Sequence, residues 1–122
     1  MNVPDFIARQ FYVAGSLRNT DNGFQLEAHN PMGNGTLVGV GRLRVDGRDI
    51  DPAGVSAQRP GEEAIRANDV TRERPIPVRI GDRVVLKVDG EQLEPGSHEL
   101  EVTLYEVSLG RLSFKIRDQV VG

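Results

Sequence analysis

Apolar and polar side chains alternate with a period of two along most of this chain, and this pattern restricts the possible folds more than any other feature. Residues 24–29, 99–104 and 112–117 each place apolar side chains at every second position and mainly polar ones between them. Successive side chains of a β-strand point to opposite faces of the sheet, so each segment is predicted to be a half-buried strand. The apolar phases are expected to form the core.

Turn-forming residues separate the predicted strands. The turn sequences are Asp21-Asn22-Gly23, Val45-Asp46-Gly47, Gly81-Asp82, Val88-Asp89-Gly90 and Glu94-Pro95-Gly96. Such residues favour tight turns, and turns at intervals of about 8–12 residues are typical of antiparallel sandwiches. The helix prediction is limited to one or two turns within Glu62–Val70. We therefore predict an all-β fold, a single-domain antiparallel β-sandwich over residues 1–122 with jelly-roll or immunoglobulin-like topology and little helix.

The alternation changes phase at two places, which predicts two β-bulges. One lies near Tyr105–Glu106, after which Val107 and Leu109 take up the opposite phase. The other lies at Gly41-Arg42, within the segment 38–45. An extra residue in a strand reverses the faces of the side chains that follow it. Glycine suits the second site because it tolerates the positive φ that some bulges adopt.

Charge and cysteine content exclude several classes of function. The 122 residues include 15 Lys and Arg against 18 Asp and Glu, a net charge of −3. This balance argues against nucleic acid or an anionic membrane as a partner, because both require a clustered basic surface. The absence of cysteine excludes disulfides and thiolate chemistry. The N-terminal sequence lacks the features of a secretory signal, and no segment resembles a membrane span, so a soluble, cytoplasmic protein is expected.

No set of residues has the spacing of a catalytic or metal site. His29 and His98 each lack a second histidine at metal-binding spacing, and each is expected to be a surface or turn residue. The serines lie outside any nucleophile-elbow sequence. Glu99 and Glu101 share an outward face with Glu106 nearby, and these carboxylates are expected to be solvated. We predict no catalytic residue and no metal ligand in this chain.

Two irregular segments are the candidate functional surfaces. Asn30–Thr36 is a glycine-rich loop after a strand, and Asp51–Pro77 carries most of the sequence without a regular pattern. Loops at the ends of a rigid sandwich are common binding sites. Tryptophan is absent, and only Tyr12 and Tyr105 are expected to be available for stacking on a sugar. These features favour an accessory subunit or a binding module over an independent enzyme.

Several segments, in order along the chain, resemble the small (beta) subunit of bacterial C-glycoside deglycosidases. Together they span roughly residues 16–116. The segments that carry the resemblance are Ser16-Leu17-Arg18-Asn19, Gly23-Phe24-Gln25, the glycine-rich loop at Pro31, Leu43-Arg44-Val45-Asp46-Gly47 and Leu93–Thr103. Their order and spacing are what make the resemblance.

The resemblance implies an auxiliary small subunit that supports a larger, barrel-shaped alpha subunit. The alpha subunit would hold a divalent metal, Mn²⁺, and the acid–base groups that cleave the C–C glycosidic bond of a 3-oxo-C-glycoside by enolate-forming elimination. The assembled enzyme would be a carbon–carbon lyase, whereas this chain alone would be inactive and would hold no cofactor. A loop of the small subunit would help to close the substrate pocket.

At the glycine-rich loop Asn30–Thr36 and the residue before it, four residues are the candidate contacts with the substrate pocket, namely His29, Asn30, Met32 and Asn34. The competing interpretation is that Asn30–Thr36 is an ordinary connection between strands. A second function also stays open at this point, a stand-alone β-sandwich module that binds carbohydrate or another protein.

Overall fold

Across residues 3–121, which are the residues described, the computed structural model contains ten strands. They are β1 (Arg18–Thr20), β2 (Gly23–His29), β3 (Gly35–Val45), β4 (Arg48–Asp49), β5 (Val55–Gln58), β6 (Ile65–Arg66), β7 (Ile76–Val78), β8 (Arg83–Asp89), β9 (Gly96–Glu106) and β10 (Gly110–Val120). The same part of the chain has one α-helix, α1 (Asp5–Ala8). It also has three 3-10 turns, at Arg9–Phe11, Pro52–Gly54 and Ala67–Asp69.

The strands form two antiparallel sheets that share one apolar core. The first sheet has the order β1-β2-β8-β5-β6, and the second has the order β10-β9-β3-β4 with β7 also paired to β3. Buried apolar residues from both sheets belong to one cluster. The prediction of an all-β antiparallel sandwich with little helix is confirmed. The boundaries 1–122 of a single domain stay a prediction, since Met1, Asn2 and Gly122 lie outside the described residues.

The predicted alternation separates the core from the outer face of the second sheet. In β9 the side chains of Leu100, Val102 and Leu104 are at most 4% exposed. On the opposite face, the carboxylate of Glu101 lies 3.0 Å from the ammonium of Lys115 in β10. Antiparallel pairing places these two residues directly opposite each other. The outer face is therefore polar and ion-paired, as the alternation predicts.

Strand β3 carries the bulge predicted at Gly41-Arg42. Its pairing with β9 shifts register between Val40 and Leu43, and it shifts a second time between Leu37 and Gly39. The second shift was not predicted. Together the two irregularities let one strand of 11 residues place apolar side chains on the core at both of its ends.

The predicted reason for glycine at the bulge was wrong. Neither Gly39 nor Gly41 has a positive φ. A Cβ added at either position would lie 3.0 Å from the ring of Tyr105 on β9, which is closer than an ordinary carbon contact. The two glycines are required because the tyrosine ring lies across them on the outer face of the sheet.

The bulge predicted near Tyr105–Glu106 was wrong. Strands β9 and β10 pair without interruption as far as Glu106 and Gly110. The phase of the sequence changes there because the strand ends, and residues 107–109 form the hairpin loop. Gly110 has a φ of 80°, the left-handed conformation that glycine adopts easily, at the point where the chain re-enters the sheet.

Of the one or two helical turns predicted within Glu62–Val70, the structure has one 3-10 turn and no α-helix. That segment contains the two-residue strand β6 and the 3-10 turn Ala67–Asp69. The α-helix lies instead at Asp5–Ala8, where it packs against β10. Four residues are too few to show a helical period in the sequence. Among residues 3–121, no helix has the length and apolar character that crossing a bilayer requires.

The carboxylate of Asp118 in β10 joins the two sheets along one side of the sandwich. Its Oδ2 accepts hydrogen bonds from the Tyr12 hydroxyl and from the N–H groups of Gly15 at 3.0 Å and Leu17 at 3.4 Å. Those donors belong to the segment before β1, where Tyr12 pairs with Ala28 of β2 in the other sheet. One side chain therefore closes the gap between β10 and the opposite sheet.

Tyr12 is part of this closure and is not available for stacking on a ligand. It is 7% exposed, and its ring centroid lies 6.3 Å from that of Phe114. Burial, together with the hydrogen bond to Asp118, raises the pKa of its hydroxyl, so Tyr12 is a neutral donor to the carboxylate. Of the two tyrosines predicted to be accessible, Tyr105 is the exposed one, at 40%.

Replacing the closing carboxylate should destabilise the fold. Asp118→Ala is expected to lower the free energy of unfolding by about 2–3 kcal/mol, since hydrogen bonds to a charged group contribute about 1.5–3 kcal/mol. Urea unfolding at neutral pH measures the change. Asp89→Ala is the matched control, because the Asp89 side chain is exposed and forms no hydrogen bond among residues 3–121; its effect should stay within about 0.5 kcal/mol. Equal effects would contradict the role of Asp118.

Candidate functional site

Three loops meet at one end of the sandwich. They are residues 30–34 between β2 and β3, residues 79–82 between β7 and β8, and residues 107–109 between β9 and β10. The side-chain oxygen of Asn34 accepts a hydrogen bond from the N–H of Ile80 at 2.8 Å. The carbonyl of Thr36, at the start of β3, accepts one from the N–H of Val107 at 3.0 Å. We call this surface the loop end.

Glu106 connects the hairpin loop to β3 inside the sandwich. It follows Leu104 in the inward phase of β9, and it is 9% exposed. One carboxylate oxygen accepts the N–H of Thr36 at 2.8 Å, and the other accepts those of Ser108 and Leu109 at 2.8 Å each. The solvated position predicted for Glu106 was wrong, because no bulge reverses the strand before it.

These hydrogen bonds keep Glu106 ionised. Burial by itself raises the pKa of its carboxyl, but the backbone N–H donors of Thr36, Leu109 and Ser108 more than offset that effect and bring the pKa below the usual value of 4.5. The carboxylate is therefore a fixed anion at neutral pH. Its oxygens are engaged by the backbone, so it acts as a structural group.

An apolar cavity of about 40 Å³ opens between the sheets at the loop end. It is lined by apolar side chains of both sheets and of the N-terminal segment, namely Phe11, Ala28, Leu37, Val78, Val84, Leu86, Leu104 and Leu112. His29, Asn30, Thr36 and Glu106 border the same space. One water needs about 10–15 Å³ in such a cavity, so the space exceeds a single water and suits a small apolar group.

Each of the three loops at this end of the sandwich carries one exposed apolar side chain. Met32 is 53% exposed, Ile80 is 59% exposed and Val107 is 44% exposed. Single exposed apolar residues are ordinary on protein surfaces, but neighbouring ones on hydrogen-bonded loops form a patch. Arg79, next to Ile80, is also exposed. The loop end is therefore an apolar surface with a basic residue on its rim.

The structure places all four predicted site residues at the loop end. The His29 ring lies 3.0 Å from a backbone carbonyl, that of Gln10. Asn30 is 8% exposed, and its side-chain oxygen accepts the N–H of Met32 at 3.0 Å. Asn34 fixes the neighbouring loop, so Met32 is the one of the four whose side chain is mostly free to contact a partner. The predicted contact of these residues with a substrate stays a prediction.

Three residues of this surface were not predicted from the sequence, namely Ile80, Arg79 and Glu106 in its buried position. Glu106 continues the alternation that turns Leu104 inward, so its burial could have been predicted. The apolar Val107 and Leu109 that follow, however, resemble the start of another strand. Ile80 continues the phase of the buried Val78, and it becomes exposed because β7 ends at Val78. No local signal marks the exposure of Ile80. Arg79 lies in the same loop, and no sequence motif marks it either.

His98 links two turns at the opposite end of the sandwich. Its Nδ1 lies 2.6 Å from the Asp46 carboxylate, and its Nε2 lies 2.7 Å from the carbonyl of Glu94. Both partners are acceptors, so the arrangement suits the doubly protonated ring. The Glu94 carbonyl and the Asp46 carboxylate raise the pKa of His98. The pKa of Asp46 is lowered most by the hydrogen bond from the N–H of Glu99, and next by the hydrogen bond with His98.

The loop end is suited to binding an apolar surface. Within the described part of the chain, 3–121, no group of three His, Asp or Glu side chains is placed to hold a metal ion. The ionised carboxylate of Glu106 is saturated by backbone donors, and the cavity walls are apolar. The geometry therefore favours contact with an apolar group over proton transfer.

The family model of the hydroxymethylglutaryl-CoA reductase N-terminal domain matches residues 7–121 of this sequence. The chain belongs to this family. The match covers every strand of both sheets and the whole loop end. Among individual proteins of curated function, none matches the sequence significantly.

Membership in the reductase family corrects the functional predictions. The resemblance to the small subunit of C-glycoside deglycosidases was wrong, and so were the lyase function derived from it and the alternative of a stand-alone binding module. The segments behind the resemblance are turns and strand starts. Asp46 and Gly47 have φ of 52° and 82°, and Gly96 has φ of 118°. Turn geometry selects Asp and Gly at such positions in many unrelated sandwiches, so these motifs carry little information about family.

Replacing Glu106 tests its role as a structural anion. Glu106→Gln should lower the free energy of unfolding by about 2 kcal/mol at neutral pH, because the amide places a donor against backbone N–H groups. The folded-state pKa lies below the unfolded value of 4.5, so the difference between wild type and variant should be full above that pH and disappear as pH falls through the folded-state pKa. Denaturant titrations over a pH series measure it. The exposed Glu73→Gln is the control, and a similar loss there would contradict the assignment.

The His98 pair should give stability with the opposite pH dependence. The folded-state pKa of His98 is raised above 6.5 and that of Asp46 is lowered below 3.8. The pair therefore stabilises the fold fully between about pH 4 and 6.5, and its contribution is lost as pH rises through the folded-state pKa of His98. His98→Gln keeps a donor but does not titrate, so its thermal midpoint should fall below that of wild type mainly in this window. A difference that grows above neutral pH would contradict the ion pair.

Proposed function

We propose that this chain is a non-catalytic domain that docks, through its loop end, on the catalytic part of a hydroxymethylglutaryl-CoA reductase. The observation that carries the proposal is the exposure of Met32, Ile80 and Val107, one on each of the three loops of the loop end. Exposed apolar patches with a polar rim are typical of protein–protein contact sites. Burial of these side chains against a partner would supply the main driving force.

Rigidity of the three loops supports the proposal. Asn34 holds the loop of Ile80, and Glu106 holds the hairpin loop against Thr36. Loops that are already ordered lose little conformational entropy on binding, so more of the burial energy appears as affinity. A patch on freely moving loops would bind more weakly for the same area.

The family supports the choice of partner. It is defined by the N-terminal domain of an enzyme, which implies a separate catalytic part beside it. The barrel-shaped alpha subunit expected from the sequence is a different partner, and it stays an untested prediction. In this proposal the chain contributes a binding surface, and the reacting groups belong to the partner. The metal expected on a partner and the cytoplasmic location stay predictions.

Removing the apolar rim tests the proposal. The triple variant Met32→Ser/Ile80→Ser/Val107→Ser should weaken binding to the reductase catalytic domain of the same organism by about 100-fold, since a few central apolar residues carry most of an interface's energy. Isothermal titration calorimetry with the full chain measures the affinity. Circular dichroism should show an unchanged fold, because the three side chains are solvent-exposed in the free chain.

Val121→Ser is the matched control for this experiment. Val121 is 93% exposed and follows the end of β10 that lies away from the loop end. Its replacement removes a similar apolar side chain and should leave the affinity unchanged. If wild type does not bind the catalytic domain, or if the triple variant binds as tightly as Val121→Ser, the proposal is wrong.

A further inference from the structure

We infer that the cavity at the loop end receives one aliphatic side chain of the partner, and that Arg79 pairs with a carboxylate beside that side chain. This inference rests on the proposed function, and it specifies the chemistry of the partner segment. The partner would present a large apolar residue with an acidic residue next to it.

The walls of the cavity favour an apolar occupant. Ala28, Val84 and Leu104 face the space from both sheets. The oxygens of Glu106 accept three backbone N–H groups, and the side-chain oxygen of Asn30 accepts another. A polar ligand would find few free hydrogen-bond partners and would lose its hydration on entry. An aliphatic group loses no hydrogen bonds there.

The size of the cavity limits the occupant to a single side chain. A space of about 40 Å³ is larger than the roughly 10–15 Å³ that one water requires. It is far smaller than the several hundred Å³ of pockets that enclose whole cofactors or drug-sized ligands. Apolar cavities of this kind gain dispersion contacts when an apolar group fills them. Insertion of one anchoring side chain into a pocket is a recurrent feature of protein interfaces.

Charged side chains at the loop end indicate that the partner segment also carries a carboxylate. Arg83 pairs with Glu27 at 3.3 Å, and Asp82 lies 3.8 Å from the guanidinium of Arg59. The Asp82 carboxylate also accepts the backbone N–H of Arg79 at 3.3 Å, whereas the exposed guanidinium of Arg79 forms no salt bridge within residues 3–121. An unpaired guanidinium next to the exposed Ile80 would attract a carboxylate of an approaching surface. A protein segment can supply both the apolar side chain and the carboxylate, so we assign the occupant to a protein segment of the partner.

Filling the cavity from inside tests the anchor. Ala28→Val adds two methyl groups to the wall and should weaken binding of the full chain to the reductase catalytic domain by about tenfold or more, as expected for loss of an anchoring contact. The thermal midpoint of the free chain should not fall, because the methyl groups enter an existing space. Val84→Ile is the second variant, in case Ala28→Val fails to fold, and it should weaken binding in the same direction.

Charge reversal at Arg79 tests its proposed pairing with a carboxylate of the partner. Arg79→Glu should weaken binding by about tenfold, and the difference from wild type should shrink as salt is raised. Arg48→Glu is the matched control, because Arg48 is exposed at the opposite end of the sandwich, next to the β3–β4 turn. Its affinity should equal that of wild type. Equal losses for the two arginine variants would overturn the pairing.

The outcomes separate this inference from the proposed function. If wild type does not bind the catalytic domain, both are wrong. If the Met32/Ile80/Val107 triple variant loses binding while the cavity variants and Arg79→Glu bind as wild type, the docking surface stands and the anchor is wrong. The inference is supported if a folded cavity variant loses binding and if Arg79→Glu loses binding while Arg48→Glu does not.

Discussion

The hydrogen bonds to the Asp118 carboxylate close this sandwich, and burial of the core depends on that closure. Asp118 lies on β10 in one sheet, whereas Tyr12, Gly15 and Leu17 belong to a segment that runs beside β2 in the other. Two sheets stay packed only if their apolar faces are shielded from water on every side. The Asp118 carboxylate, with its three donors, links the two sheets at the edge of the core. An apolar contact at that place would be partly exposed to water.

The same device recurs where loops must be held in place. Glu106 accepts N–H groups from both sides of the loop end, and Asp46 accepts the N–H of Glu99 near the opposite end. Each carboxylate satisfies donors that have no partner in the sheet ladder. At the loop end the consequence is functional, because ordered loops present Met32 and the neighbouring apolar side chains as one surface. Stability and the proposed docking therefore depend on the same hydrogen bonds.

The resemblance to a deglycosidase subunit failed for a physical reason. Segments such as Val45-Asp46-Gly47 are selected by turn geometry, and alternating strands such as β9 are selected by burial on one face. Both requirements are common to all antiparallel sandwiches. Short motifs of this kind therefore predict the β-sandwich architecture, but they do not distinguish one family of sandwiches from another. The family was recognised from a match over residues 7–121, most of the chain.

The sequence by itself determined the strands β2, β9 and β10, their buried faces and the tight turns, because periodicity and turn chemistry are local properties of the chain. It did not determine the short strands β5 and β6, which lie in the segment Asp51–Pro77 that shows no regular pattern. The position of the bulge in β3 was also visible as a change of phase. Only the tertiary structure decided which loops meet. Glu106 is separated from Thr36 by 70 residues, and Tyr105 lies across Gly39 and Gly41 of another strand. Such contacts arise from the order of strands in the sheets, which no local pattern encodes, so the loop end and its cavity emerged only when the sheets were assembled.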